Sequence, residues 1–190
     1  MSKRIEFGRY DKVVEPSVGG GLLIGEIRAI MNNSFELKDV IDKVAARQNV
    51  VWVNNGKWSM HEMLLALLDV TGPGVVHIAT YAMGETPVRV ISQLKQLGII
   101  KELYCAIDNR IDTRTAGSLQ MIMTIATSYA MSDIHAKVTV IENEEWRLCV
   151  IGSANYTVNK RMEAGVVLIA DDVADQQLAW IKDCLKHGNK

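Results

Sequence analysis

The sequence predicts an α/β fold, a layered mixed β-sheet flanked by helices, and three observations carry that expectation. β-Branched apolar runs of strand length alternate with stretches whose apolar residues recur at helical spacing, which is how sheet and helix layers are written. Turn and cap residues punctuate most of the changes between them. A length of 190 residues accommodates one ordinary domain, and a hydrophobic content of 48% supplies its core.

The elements follow in order. The stretch to about Gly25 mixes charges with Pro16 and the run Gly19-Gly20-Gly21, a composition suited to an arm or loop. The run is no phosphate loop, because Glu26 and Ile27 follow Gly25 where Lys and Ser or Thr are needed. It is no dinucleotide fingerprint either, since Ile24 holds the place of the third glycine. From Ser34, a cap, the spacing of Phe35, Leu37, Val40, Ile41, Val44 and Ala45 predicts a short helix. Val50 to Val53 reads as a strand closed by an Asn54-Asn55-Gly56 turn. Ser59 and Glu62 form a capping box for a helix with Met63, Leu64, Leu67 and Leu68 on its apolar face, and Thr71-Gly72-Pro73-Gly74 stops it. Val75 to Tyr81 is the next strand. Thr86 as cap, Pro87 in the first turn and Gly98 beyond the last bracket a helix, Leu103 to Ile107 reads as a strand, and residues 116–130 read as a third helix of this series. The chain thus divides into a partly helical amino-terminal extension, 1–50, and a main domain, 51–190.

Lys and Arg total 21 against 22 for Asp and Glu, so a broad polybasic surface is excluded and any bound anion falls to a local patch. The opening residues lack the apolar middle of a secretory signal, and the longest apolar stretches fall short of the roughly 20 residues of a membrane-spanning helix. A cytoplasmic protein without stable membrane association is expected. Cys105, Cys149 and Cys184 form no C-x-x-C pair and read as reduced, mostly buried thiols. His61 and His77 read as packed side chains and His187 as part of a polar tail. Asp108 and Asp112 follow a strand end, where α/β folds often place ligand contacts, although a turn or cap explains them equally well. Tyr81 and Tyr156 are candidates to line a cleft.

The informative segment is 134–170. Ile134 to Ile141 alternates apolar and polar residues, which sets His135, Lys137 and Thr139 on one face of a strand, the first two about 7 Å apart. Glu142 to Glu145 makes a hairpin connection and Trp146 to Ile151 the returning strand, ending in Gly152-Ser153-Ala154-Asn155. The hairpin gathers His, Lys, Ser and Asn around one spot. Lysine offers a point charge to phosphate oxygens, and the hydroxyl and carboxamide add directed donors. Together they can stabilise a five-coordinate transition state. Histidine can serve as nucleophile or as acid near neutral pH, and neither role needs a metal or cofactor.

These residues resemble the signature of the phospholipase D superfamily, H-x-K, an Asp after four intervening residues, then a G-S-x-N turn. Here they are His135-Ala136-Lys137, Glu142 in place of Asp, and Gly152-Ser153-Ala154-Asn155, with Glu163 before the apolar strand Ala164 to Ala170. The looser similarity spans 59–170, a half-unit of that family. The resemblance implies a phosphodiesterase site made from two such motifs, and one copy per chain resembles the small endonuclease-like members that pair identical chains. It implies that His135 is nucleophile in one subunit and acid/base in the other, that Lys137, Ser153 and Asn155 bind phosphate, and that Glu163 orients His135. Glu142 and Gly152 would be supporting residues, and Arg161, standing where many members have Asn, would join Lys160 in a local basic patch. The expected function is hydrolysis of DNA, in preference to RNA, by a homodimer through a phosphohistidine. The alternatives are a noncatalytic nucleic-acid-binding or scaffolding protein of the same fold, and a phosphatidyl transferase or phospholipase.

Overall fold

The computed structural model describes residues 37–110, 116–158 and 160–189. Ser34, Phe35, the Gly19–Gly21 run and Asp112 lie outside them. Among the described residues twelve elements follow one another: α1 (Leu37–Ala45), β1 (Val50–Asn55), α2 (Met60–Thr71), β2 (Gly74–Thr80), α3 (Glu85–Gln96), β3 (Ile100–Asp108), α4 (Ala116–Ile125), β4 (Ser128–Ser132), β5 (Val138–Glu142), β6 (Arg147–Gly152), β7 (Met162–Leu168) and α5 (Asp171–His187). The strands form one mixed sheet in the order β1-β7-β6-β5-β2-β3-β4. The three strands β2, β3 and β4 are parallel, and β5, β6, β7 and β1 continue as an antiparallel meander.

Alternation along each strand assigns the two faces. Trp52, Val76, Ile78, Leu103, Ile107, Val150 and Val167 meet the apolar sides of α1 to α4, including Val40, Val44, Leu64, Leu67, Ile91 and Ile122. On the other face Val173, Ala174, Leu178, Ile181 and Leu185 of α5 lie on Ala79, Ala106, Ala130, Val138, Val140 and Cys149. Ala79 pairs with Ala106 and Ala106 with Ala130, a row of small side chains across three strands that lets a single helix approach the sheet closely. Helix α1 belongs to the first core, with Val40 and Val44 fully buried, although it falls within the extension read as 1–50.

Several sequence expectations change. Asn54 and Asn55 belong to β1 and not to a turn, because the buried Asn54 carboxamide bonds the following loop itself: its Oδ1 accepts from the Lys57 N–H at 2.9 Å and its Nδ2 donates to the Trp58 carbonyl. Gly56, at φ 70°, makes the actual turn. The capping box of α2 is present, with the Ser59 N–H donating to Glu62 at 2.8 Å. Helix α3 is capped by Gly84 and not by Thr86. The Gly84 N–H is held by the Tyr156 carbonyl at 2.8 Å, which fixes the chain one step earlier, and Pro87 still falls in the first turn where its missing donor costs nothing. The helix expected to run to residue 130 stops at Ile125. Thr127 exchanges bonds with the Leu103 backbone, its N–H donating at 2.8 Å and its hydroxyl accepting at 3.1 Å, and β4 then pairs with β3. Helix α5 has no counterpart in the sequence reading, and His187 ends it, 3.0 Å from Asp183. Cys105 and Cys149 are buried thiols whose pKa burial pushes up to about 12.

Candidate active site

The strand ladder of β5 begins at Val138, so His135 and Lys137 lie in the extended segment just before it and not within a strand. The reason is a competing acceptor: the Ile134 N–H donates to the buried Asp108 carboxylate at 3.1 Å, which ties this segment to the end of β3. The Lys137 carbonyl still accepts from the Gly152 N–H at 3.2 Å, so the hairpin brings the Gly152–Asn155 turn beside His135 and Lys137 as expected.

Two glycines let that turn form. A Cβ on Gly152 would lie 2.9 Å from the Trp52 ring and the Ala164 carbonyl, and one on Gly165 would lie 2.5 Å from the ring. Trp52, fully buried in β1, is therefore the floor beneath the turn. Gly152 pairs with Gly165 in the ladder, which carries Glu163 to the same end. The Ser153 hydroxyl donates to Glu163 and accepts from the Ala164 N–H at 3.1 Å. Asn155 is anchored through Oδ1, which accepts from the Thr80 hydroxyl at 3.3 Å and the Ala82 N–H at 3.2 Å, while its Nδ2 carries the donors suited to a phosphate oxygen.

Lys137 Nζ lies 3.2 Å from His135 Nδ1 and donates to the His135 carbonyl at 2.6 Å. The same ammonium is 3.4 Å from His135 Nε2, so it stands against the edge of the ring between the two nitrogens. Burial pushes the Lys137 pKa below its ordinary value, and the charges of Glu163 and Asp108 partly restore it. The Glu163 carboxylate bonds Ser153, whereas the resemblance assigns it to His135. Lys160 and Arg161 are exposed beside the start of β7, with the Lys160 backbone against Gly56.

Glu142 is at the opposite end of β5. It pairs with His77 Nε2 at 3.0 Å and Arg147 at 3.4 Å, so replacing the family Asp with Glu alters a structural cluster away from His135. Tyr156, a candidate cleft residue, is instead core: it is 2% exposed and its hydroxyl lies 2.7 Å from Thr139 Oγ1. Tyr81 does line the site, its ring centroid 4.9 Å from that of His135. Sequence reasoning missed Arg110, which lies over Tyr81 at 4.8 Å, and left Asp108 undecided. Their position at the end of β3, beside the junction of parallel strands, was the available signal.

No protein-family model and no curated protein sequence matches the chain. Solved structures do. A phospholipase D family member, Nuc from Salmonella typhimurium, superposes with a TM-score of 0.60 at 18% identity, covering 75% of this chain and 97% of its own. NucT from Helicobacter pylori gives 0.58 at 14%, covering 75% and 98%. Polyphosphate kinase from Porphyromonas gingivalis gives 0.60 at 12%, covering 84% of this chain and 30% of the kinase. These likenesses show the fold: the chain has the fold of the phospholipase D superfamily.

Proposed function

We propose that this protein is a metal-independent phosphodiesterase that hydrolyses DNA through a phosphohistidine, at a site completed by two copies of the chain. The observation that carries the reading is the convergence of His135, Lys137, Ser153, Asn155 and Glu163 at one end of the sheet. In this reading the His135 imidazole attacks phosphorus, and the P–O bond to the leaving oxygen breaks. The partner's His135 protonates that oxygen, then takes a proton from water as the water releases the phosphoenzyme. Lys137 and the Asn155 amide hold the nonbridging oxygens as negative charge grows on them. Glu163 accepts from the Ser153 hydroxyl through Oε2, and its second oxygen is the one that orients His135.

The noncatalytic alternative rests on Glu142 in place of Asp and on the near-zero net charge; the position of Glu142 at the far end of β5 from His135 favours the enzymatic reading. The test is EDTA-resistant cleavage of DNA, with trapping of an acid-labile phosphoenzyme that His135→Ala cannot form. Light scattering should report a dimer. Absence of turnover on DNA, RNA and a chromogenic diester overturns the enzymatic reading, and a monomer that remains active overturns the shared site.

A further inference from the structure

An imidazole that attacks phosphorus must keep its ring in one orientation, because a misplacement of about an ångström costs about a hundred-fold in rate. His135 stands exposed on an extended segment outside the strand ladder, and among the described residues its ring hydrogen-bonds to the Lys137 ammonium, the end of a flexible four-carbon stem. One hydrogen bond from a Glu163 oxygen would set a direction and still leave the ring free to turn about that bond. What faces the ring is Tyr81. Its centroid lies 4.9 Å from that of the imidazole with the planes tilted at 55°, within the range of an edge-to-face aromatic pair. Lys137 Nζ is 5.4 Å from the centroid of the same tyrosine, a cation–π distance. One aromatic side chain therefore serves both residues of the H-x-K pair.

Tyr81 is held from both sides. The Thr80 hydroxyl before it and the Ala82 N–H after it both donate to Asn155 Oδ1, at 3.3 and 3.2 Å, and the Arg110 guanidinium lies over the ring at 4.8 Å. With its backbone fixed, a tyrosine keeps only two side-chain torsions, and packing of the ring restricts these. A short, stiff connection thus runs from Asn155 through residues 80–82 and the Tyr81 ring to His135. The Tyr81 hydroxyl makes no hydrogen bond to a described residue, so the ring is the part of the side chain in use.

We propose that Tyr81 is a positioning residue whose ring fixes the plane of the His135 imidazole, and the place of the Lys137 ammonium, relative to the phosphate held at Asn155. The inference rests on the reading of His135 as the attacking group.

The test compares Tyr81→Leu, which keeps an apolar side chain without the ring, with Tyr81→Phe, which keeps the ring without the hydroxyl. On bis(p-nitrophenyl) phosphate in EDTA, Tyr81→Leu should lower kcat about a hundred-fold with KM within about two-fold, and Tyr81→Phe should hold kcat within about two-fold of the unaltered protein. An undiminished kcat in Tyr81→Leu, a change confined to KM, or an equal loss in Tyr81→Phe overturns the proposal. NMR of the folded protein separates it from the proposed reaction, because no turnover is needed. In the unaltered protein and in Tyr81→Phe, the aromatic protons at position 81 should show cross-relaxation with the His135 imidazole, and the His135 χ1 couplings should report one rotamer. In Tyr81→Leu those couplings should average over rotamers. A His135 that averages in the unaltered protein, or that keeps one rotamer in Tyr81→Leu, overturns the role of Tyr81 whether or not the protein hydrolyses anything.

Discussion

The two ends of β5 carry two parts of one motif and use opposite physics. At the start, His135 and Lys137 stand on an irregular segment open to solvent, held in place by backbone bonds to Asp108 and Gly152. At the end, Glu142 sits beside His77, which is 2% exposed and stacked on Tyr104 with centroids 4.7 Å apart. These residues line a cavity of about 390 Å³ under α5, and Arg147 links Glu142 to Asp175 of that helix. One end displays its charged groups, whereas the other pairs them to join a hairpin to a helix. A motif read as one unit is thus divided between an exposed pair and a structural brace.

The largest expected effect tests that division directly. His135→Ala should reduce phosphodiester turnover at least about a thousand-fold, measured in EDTA, while its unfolding midpoint stays near that of the unaltered protein because the side chain is exposed. Glu142→Ala should do the reverse. It leaves buried His77 without its carboxylate and should cost about 1–3 kcal/mol in urea unfolding, with turnover per folded molecule within two-fold. Turnover that collapses with Glu142 at unchanged stability would break the comparison.

Gly152→Ala sharpens it from the site end. The added methyl meets Trp52 and the Ala164 carbonyl, so a loss of about 1–3 kcal/mol should accompany displacement of Ser153 and lower turnover. Unchanged melting and turnover would show that Trp52 does not set the turn.

The smallest effect is the response to acid. Burial holds the His77 pKa below its ordinary 6.5 despite Glu142, with Glu102 and Lys182 also facing it. The unfolded chain therefore binds a proton more readily, and stability should fall as pH drops below about 6.5 and be flat above it. His61, lowered by burial too, adds in the same direction. At the other end, the Arg110 guanidinium holds the Asp108 carboxyl at about 2, against an ordinary 3.8. Its contribution is present above that ordinary value and is lost only as pH falls toward about 2. Melting temperatures across pH should show His77→Gln flattening the first decline and leaving the second, and an unaltered first decline would remove His77 as its source.

By itself the sequence determined the α/β class, the hairpin and the approach of Gly152–Asn155 to His135, because two-residue alternation, helical spacing and turn chemistry are local and need no distant partner. The Ser59 capping box was legible for the same reason. Tertiary structure decided what depended on competition between distant groups. Residues 128–132 became a strand because β3 offered a free edge, which local helical periodicity cannot register. Tyr156 became core and Tyr81 cleft because Thr139 and His135 stand where they do. Asp108, 27 residues before His135, stood undecided in the sequence between a ligand contact and a turn or cap until the fold set Ile134 and Arg110 on its oxygens. A spacing pattern names residue types that share a face, while the partner each polar group accepts is set only when the whole sheet has closed around it.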